Sequence, residues 1–342
     1  MKFDYCVGNP PYQESKNGNN HNIWPDFLKS VASIANIRCM VHPGRWIMMS
    51  RPYEHTFDDM KTQGLRSFNY YPKSSDVFPS VGLDGGVSIT YFEGNNSDKV
   101  KYFINTKDKG IFDENLKVFT DNFKEEAYSK VFKDISKDNN MNHRINESLA
   151  RINGTNNYGH IKDRNLDLIF DTPDNMKNPV KIWISKTQGR GESKFMWYFV
   201  EKDNLINIDP IIYTSRKVAI DGRGNALAHG KGNGFNNIPH ICERDQFAFS
   251  HILVFPEVER ERDLLLIKSL FMTKTARFLM SITQTGLGVC GFENIPDYLE
   301  LAKLLPEDEL FTDEWFYKTF DFSEGLINEI ETRVSPKVDK EV

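Results

Sequence analysis

Long apolar runs are missing from this sequence of 342 residues. It contains no stretch of about 18 uncharged apolar residues, which argues against a membrane-spanning helix. The first residues, MKFDYCVGNPPY, also lack the basic segment followed by an apolar segment that an export signal requires. We therefore expect a cytoplasmic protein that does not associate with a membrane.

Cysteine and metal-ligand patterns are scarce as well. The four cysteines lie far apart and none forms a CxxC pair: Cys6, Cys39, Cys242 and Cys290. A disulfide framework or a thiolate zinc site is therefore unsupported. The eight histidines show no metal-ligand spacing such as HExxH, so we expect no bound metal.

Acidic charge is concentrated at one end of the chain. Residues 291–342 carry 14 acidic and 5 basic side chains, although the net charge of the whole sequence is only −5. The remainder of the chain is therefore net positive. The overall sign of the charge does not exclude binding to a polyanion such as nucleic acid.

Strand and helix patterns alternate over the first 105 residues. FDYCVG (3–8) predicts a buried strand, and apolar residues at helical spacing predict an amphipathic helix over 24–37. Further segments predict a helix over 53–63 and strands over 38–42, 67–71, 86–92 and 100–104. This alternation indicates an α/β fold with a parallel sheet.

The composition of the chain and its expected secondary structure change three times after residue 105. We expect a polar connection, then a smaller mixed α+β domain of short strands and glycine-rich loops, and finally an acidic helical segment with short helices. The resulting domain ranges are 1–105, 106–158, 159–290 and 291–342.

Asn9, Pro10, Pro11 and Tyr12 follow the first predicted strand directly, at the carboxyl end where α/β sheets place their sites. Consecutive prolines stiffen the loop and leave it rich in hydrogen-bond acceptors. The Asn9 side-chain oxygen and the Pro10 carbonyl can both accept from one exocyclic amino group, while Tyr12 offers a face on which a base can stack. The N6 amino group of adenine is an amine that needs two such acceptors in order to act as a nucleophile. The adenine has to be flipped out of the duplex to reach this loop.

Several segments in order extend this pattern into a family resemblance. FDYCVGNPPYQ (3–13) resembles the catalytic motif of DNA adenine N6-methyltransferases of restriction-modification systems, in the branch often fused to an endonuclease. Five later segments are similar to that family: HNIWPDFLKS (21–30), VHPGRW (41–46), DVFPSVGLDGGVSITYF (76–92), QTGLGVCGFENIPDYLEL (284–301) and DEWFYKTFDFSEGLINEIE (313–331).

The resemblance implies a function and its residues. Asn9, Pro10 and Pro11 would form the catalytic loop that holds the adenine amino group, and Tyr12 and Phe78 would stack on the flipped base. Trp24 and Phe27 would line the side that binds the methyl donor, S-adenosylmethionine. The fold implied is a partial Rossmann-like methyltransferase sheet followed by a target-recognition domain.

One part of the family pattern is not found. The glycine-rich turn that binds S-adenosylmethionine precedes the catalytic loop in such enzymes, whereas this chain starts at the catalytic strand. GLGVCG (286–291) is a weak substitute, and GRGNALAHGKGNG (222–234) better suits a loop that faces phosphates. We therefore expect a protein partner or a second copy of the chain to cover the apolar edge strand 3–8.

The middle of the chain combines basic and aromatic residues, as expected of a surface that binds double-stranded DNA. Between residues 181 and 235, nine Lys or Arg residues are interleaved with Trp and Tyr against five acids. The candidate DNA-binding residues are Lys186, Arg190, Lys194, Arg216, Lys217, Arg223 and Lys231.

Two alternatives stay open at this point. A non-catalytic DNA-recognition or decoy module would retain the base pocket without a donor site. A restriction nuclease is less favoured, because the segment 171–186 lacks the acid beside lysine that a metal-dependent nuclease site needs.

Overall fold

The chain divides into two compact units, Met1–Asn122 and Phe123–Val342. The four ranges expected from the sequence are finer than this division and stay a prediction. The computed structural model describes residues 3–16, 19–48, 53, 55–80, 83, 85–112, 117–119, 121–144, 168–185, 195–205, 211–212, 217–221, 239–243, 247–249, 253–254, 258, 260–282 and 291–336.

The first unit is built on a six-stranded sheet with the strand order β1-β4-β6-β5-β7-β8, and a separate two-stranded ribbon, β2-β3. The strands are β1 (Phe3–Gly8), β2 (Gln13–Lys16), β3 (Asn19–Asn22), β4 (Ala35–Pro43), β5 (Leu65–Tyr71), β6 (Val87–Glu93), β7 (Lys101–Ile104) and β8 (Lys107–Ile111). Two helices accompany them, α1 (Trp24–Ala32) and α2 (Thr56–Thr62).

The large sheet is mixed, so the expectation of a parallel sheet is wrong. Strand β1 pairs in parallel with β4, and β5 with β7, but β6 is antiparallel to both β4 and β5. Two consecutive parallel strands are normally joined by a crossover connection that contains a helix. The described part of the connection 72–86 contains only a 3-10 turn at Ser74–Asp76, and β6 returns between β4 and β5.

One face of this sheet holds the core of the first unit. Trp24 and Leu28 of α1 and Phe57 of α2 are buried there with apolar residues of the strands. Trp46 packs edge-on against Phe68 of β5, with ring centroids 5.0 Å apart. Because side chains alternate along a strand, every second residue points away from this core.

Strand β1 lies at an edge of the sheet and has an exposed apolar side. Among the described strands it pairs with β4 alone. Phe3, Tyr5 and Val7 are 51%, 70% and 79% exposed, whereas Cys6 packs against the core. The predicted strand is therefore present, and the burial expected for it applies to one face only.

The second unit contains two further sheets and six described helices. One sheet has the order β12-β15-β10-β11-β9 and the other β14-β13-β16. The strands are β9 (Ile169–Phe170), β10 (Pro179–Ser185), β11 (Phe195–Glu201), β12 (Ile211–Ile212), β13 (Lys217–Asp221), β14 (His240–Cys242), β15 (Phe247–Phe249) and β16 (Leu253–Val254). The helices are α3 (Asn122–Val131), α4 (Glu261–Met272), α5 (Lys274–Met280), α6 (Tyr298–Ala302), α7 (Asp313–Thr319) and α8 (Glu324–Arg333).

Short helices are expected in the acidic segment 291–342, and the described part of that segment contains α6, α7 and α8. Across the described residues the fold is mixed α/β, and this class was predicted correctly.

Candidate active site

The segment Asn9–Tyr12 joins the carboxyl end of β1 to β2. Asn9 is exposed, Pro10 is buried and Tyr12 is half-buried. A Cβ added at Gly8 would lie 3.3 Å from Met40 Cε, so a larger residue there would require the end of the Met40 side chain to shift. The buried Pro10 fixes the loop, and Asn9 beside it is exposed.

Tyr12 is held by its main chain. Its carbonyl accepts a hydrogen bond of 3.1 Å from the N–H of Ile23, at the start of α1. Its hydroxyl is buried and makes no hydrogen bond of ordinary geometry with a described residue. Burial raises the pKa of Tyr12, and the neighbouring Asn9 side chain opposes part of this rise. Tyr12 is therefore neutral at physiological pH, as a stacking ring should be.

The turn after β4 lies at the same end of the sheet. Gly8 is in register with Met40, three residues before Pro43 ends β4, and Pro43 is opposite Val87, the first residue of β6. The N–H of Gly44 donates to the carbonyl of Gly86 over 3.0 Å. Because a Cβ at Gly44 would lie 2.6 Å from the Tyr70 ring, only glycine permits this close approach.

Phe78 also belongs to this end of the sheet. It follows the 3-10 turn at Ser74–Asp76 and is half-buried, and its N–H donates to the Ser74 carbonyl over 2.8 Å. The Ser74 hydroxyl accepts from the N–H of Leu83 over 2.8 Å, which folds the segment back on itself. The placement agrees with a site at the end of the sheet, and the stacking role of Phe78 stays a prediction.

Trp24 and Phe27 differ in their exposure. Trp24 is fully buried and stacks on His42, with ring centroids 4.3 Å apart and planes 5° from parallel. Phe27 is 41% exposed. Of the two residues predicted to line the donor side, only Phe27 offers a surface to a ligand, and the assignment stays a prediction.

His42 is a buried residue that sequence reasoning did not single out. Its Nδ1 lies 3.1 Å from the Pro43 carbonyl oxygen and its Nε2 3.0 Å from Thr90 Oγ1. Burial lowers the pKa of His42 to about 3. The ring is therefore neutral, and it joins β4 to β6 near the carboxyl end of β4.

Asn22 and Tyr53 form a second contact that the sequence did not reveal. The Asn22 Nδ2 donates to the Tyr53 hydroxyl over 2.9 Å, and the Gln13 Nε2 donates to Asn22 Oδ1 over 3.2 Å. The partners Asn22 and Tyr53 are 31 positions apart, and no local spacing signals such a pair.

Of the predicted DNA-binding residues, Lys217 is the first residue of β13, opposite Cys242 of β14. The other six lie outside the described residues: Lys186, Arg190, Lys194, Arg216, Arg223 and Lys231. The glycine segment 222–234 also lies outside them, as does GLGVCG except for Gly291.

Within the described ranges, no group of three or more His, Cys, Asp or Glu side chains is arranged to hold a metal ion. No helix in that part of the chain has the length and apolar character needed to cross a bilayer.

No protein-family model matches the chain. An uncharacterized adenine-specific methylase of Mycoplasma pneumoniae is 34% identical over 115 residues, which cover 31% of this chain and 27% of the relative. The chain is thus similar to an adenine-specific methylase. The resemblance drawn from the ordered motifs is confirmed by this relative. The match spans less than a third of the relative's length.

Solved structures of restriction-modification enzymes are also similar to the chain. The type IIL restriction-modification enzyme MmeI in complex with DNA aligns with 98% of this chain and 55% of its own, with a TM-score of 0.44 and 9% identity. The type IIG restriction endonuclease BpuSI aligns with 92% and 50%, with a TM-score of 0.31 and 11% identity. The chain therefore spans about half the length of these two enzymes.

Proposed function

We propose that this chain binds a flipped adenine in double-stranded DNA and takes part in methylation of its N6 amino group, with S-adenosylmethionine as the methyl donor. The observation that carries the proposal is the exposed Asn9 beside the buried Pro10, at the carboxyl end of β1. Similarity to an adenine-specific methylase supports it.

Asn9 and Pro10 would act on the amino group itself. Their oxygens accept from its two hydrogens and so favour a tetrahedral nitrogen, whose lone pair is no longer delocalised into the ring. This stabilises the positive charge that develops as nitrogen becomes a nucleophile, without a strong general base. Tyr12 and Phe78 would hold the purine by stacking.

The described residues do not fit a donor site by themselves. Trp24 is fully buried against His42, and the described connections that lead from β1 to α1 and from β4 to α2 contain no glycine-rich turn. S-adenosylmethionine would supply the methyl group, and most of its binding site would come from other residues, with the exposed Phe27 at its edge.

We assign the donor site to another polypeptide segment that covers the β1 edge, from a partner chain or a second copy. An unpaired edge strand with apolar side chains is a template for strand addition. In this arrangement the six-stranded sheet is the second half of a Rossmann-like methyltransferase sheet, and the added segment supplies the half that binds the donor.

DNA would be held by the second unit, through Lys217 and the six other basic residues named with it. Phosphate contacts set the register of a protein on DNA, and base-edge contacts specify the sequence. The acidic residues 291–342 would stay away from the phosphates. Charge reversal at Lys217 should weaken DNA binding and flatten its dependence on salt, and unchanged binding across several salt concentrations would contradict the assignment.

The decisive experiment is methyl transfer from isotope-labelled S-adenosylmethionine to unmodified DNA, with N6-methyladenine measured by mass spectrometry. The chain is assayed alone and with candidate partners. Asn9→Ala should lower the rate by about 100-fold or more, since it removes a transition-state contact. Asn36→Ala, at an exposed asparagine near the opposite end of the sheet, serves as the matched control and should leave the rate unchanged.

Base selection can be tested without the donor or the recognised sequence. Single-stranded oligonucleotides that contain one adenine should bind more tightly than those with N6,N6-dimethyladenine, whose amino group has no hydrogens to donate. Tyr12→Phe should preserve affinity, whereas Tyr12→Ala should lower it by about 10-fold or more. Equal affinity for both bases would contradict the proposed hydrogen bonds from the adenine amino group to Asn9 and Pro10.

The non-catalytic module is the second candidate, because the described residues lack a donor site. It predicts the same selectivity for adenine with no methyl transfer by any combination of chain and partner. Retained selectivity with transfer that Asn9→Ala abolishes would exclude it.

A further inference from the structure

The ribbon β2-β3 stands apart from the large sheet. Its strands pair only with each other among the described strands, with Gln13 opposite Asn22 and Glu14 opposite His21. All four of these side chains are exposed. The ribbon begins immediately after Tyr12, so it extends from the loop proposed to hold the base.

Three hydrogen bonds fix the end of the ribbon that lies next to Tyr12. The Tyr12 carbonyl accepts from the Ile23 N–H over 3.1 Å, which closes the ribbon where it leaves the loop. The Gln13 side chain donates to Asn22, and Asn22 donates to the hydroxyl of Tyr53 over 2.9 Å. Tyr53 is itself buried, with its ring centroid 6.5 Å from that of Trp24. The ribbon therefore keeps a defined position beside the loop.

The composition of the ribbon suits nucleic acid better than protein. QESKNGNNHN (13–22) contains five amide side chains, one lysine, one histidine and a single acid, and it has no apolar residue. Amides both donate and accept, as base edges and phosphates require. The cores of protein interfaces are instead enriched in aromatic and apolar residues. A two-stranded ribbon also has the dimensions of the major groove.

We propose that the strands β2 and β3 of the ribbon contact duplex DNA next to the flipped adenine, and that Tyr53 is a positioning residue that holds the ribbon there through Asn22. The inference rests on the proposed function, because the loop Asn9–Tyr12 would bring DNA to the ribbon by holding the flipped adenine. It adds a DNA-contacting element outside the second unit.

The test exploits the one acidic residue of the ribbon. Glu14→Lys should tighten binding of duplex DNA by about three- to ten-fold and steepen its salt dependence by up to about one phosphate contact, measured by fluorescence anisotropy from about 50 to 200 mM salt. The matched control is Glu93→Lys, an exposed acid in β6 near the other end of the sheet, which should change affinity less than about two-fold. Equal effects of the two substitutions would overturn the proposal.

A second measurement does not depend on charge. A benzoylphenylalanine photo-crosslinker at position 21 should form a covalent adduct with duplex DNA, and the same group at position 93 should not. Tyr53→Phe retains the ring and removes the hydroxyl that accepts from Asn22. It should reduce the adduct at position 21 while the unfolding midpoint changes little, and an undiminished adduct would refute the positioning role.

These readouts separate the inference from the proposed function. Methyl transfer that depends on Asn9, without ribbon effects on DNA binding, would refute the ribbon and leave the proposed function intact. Ribbon effects in a protein that neither transfers methyl groups nor selects adenine would refute the function and leave the ribbon as a DNA contact.

Discussion

At the scale of single residues, His42 connects β4, the strand that pairs with β1, to its antiparallel neighbour β6. It lies in β4, contacts Thr90 of β6, and stacks on Trp24 of α1. Three elements therefore meet on one neutral imidazole. A charge placed there would be buried with no carboxylate among these contacts to compensate it.

This arrangement makes stability depend on pH. The pKa of His42 is about 3 in the folded protein, below the ordinary value of about 6.5 in the unfolded chain. Its contribution is complete above the unfolded value and is lost as the pH falls toward the folded value. Between pH 7 and pH 4, the loss of this contribution should lower the free energy of unfolding by on the order of 3 kcal/mol.

The measurement is urea denaturation of wild type and His42→Gln at several pH values across this range. The variant should be less stable at pH 7 and should lose less stability on acidification. His21→Gln, at an exposed histidine, should retain the wild-type slope. If His42→Gln and wild type lose stability in parallel, the imidazole is not the titrating group.

The sequence predicted the positions of individual residues in the fold only where the signal is contiguous, and the roles of those residues stay a prediction. Asn9 to Tyr12 form an unbroken motif after a recognisable strand, and the structure places them at the carboxyl end of that strand. The Asn22–Tyr53 bond and the Trp24–His42 stack join distant positions. Their partners are set by tertiary packing, which composition and spacing do not encode.

At the scale of elements, α4 and α5 are separated at Thr273, although the apolar pattern runs through both. Thr273 has an extended backbone, and its hydroxyl accepts from the N–H of Ala276 over 3.1 Å. Asp313, at the start of α7, accepts from the N–H groups of Lys274 and Thr275 over 3.0 and 2.8 Å. A side chain from another helix thus satisfies the first turn of α5.

Removal of this carboxylate should destabilise the second unit. Asp313→Ala leaves two amide donors without their acceptor, and a hydrogen bond to a charged group contributes a net of about 1.5–3 kcal/mol to stability. We expect a net loss of about 2 kcal/mol in the free energy of unfolding, measured by urea denaturation. Asp308→Ala, at an exposed turn residue, should change it by less than about 0.5 kcal/mol. Equal losses in both variants would show that Asp313 does not cap α5.

Element boundaries show where local patterns stop being informative. The helical pattern predicted 24–37, but α1 ends at Ala32 and β4 begins at Ala35. Residues 35–37 fit a helix by periodicity, yet they pair with β1 in the folded protein. In the same way, nothing within 86–92 indicates that β6 inserts antiparallel between β4 and β5. Both outcomes depend on strands far away in the sequence.

At the scale of the whole molecule, the two edges of the large sheet differ in character. Strand β8 ends one side, and its sequence KDKGI is mostly charged, with Ile111 49% exposed. Strand β1 ends the other side with Phe3, Tyr5 and Val7 exposed. Charged edges discourage strand addition and apolar edges favour it, so β1 is the edge at which strand addition is expected.

The purified chain should therefore associate through β1 as its concentration rises, when no partner is present to cover this edge. Val7→Lys places a charge on a side chain that is 79% exposed, and it should shift the protein toward monomer without loss of folding stability, as judged by light scattering and urea denaturation. Ile111→Lys makes the same change at the β8 edge and should leave association unchanged. A wild-type chain that stays monomeric and well folded at high concentration would show that β1 tolerates exposure, and the argument for a covering polypeptide would fail with it.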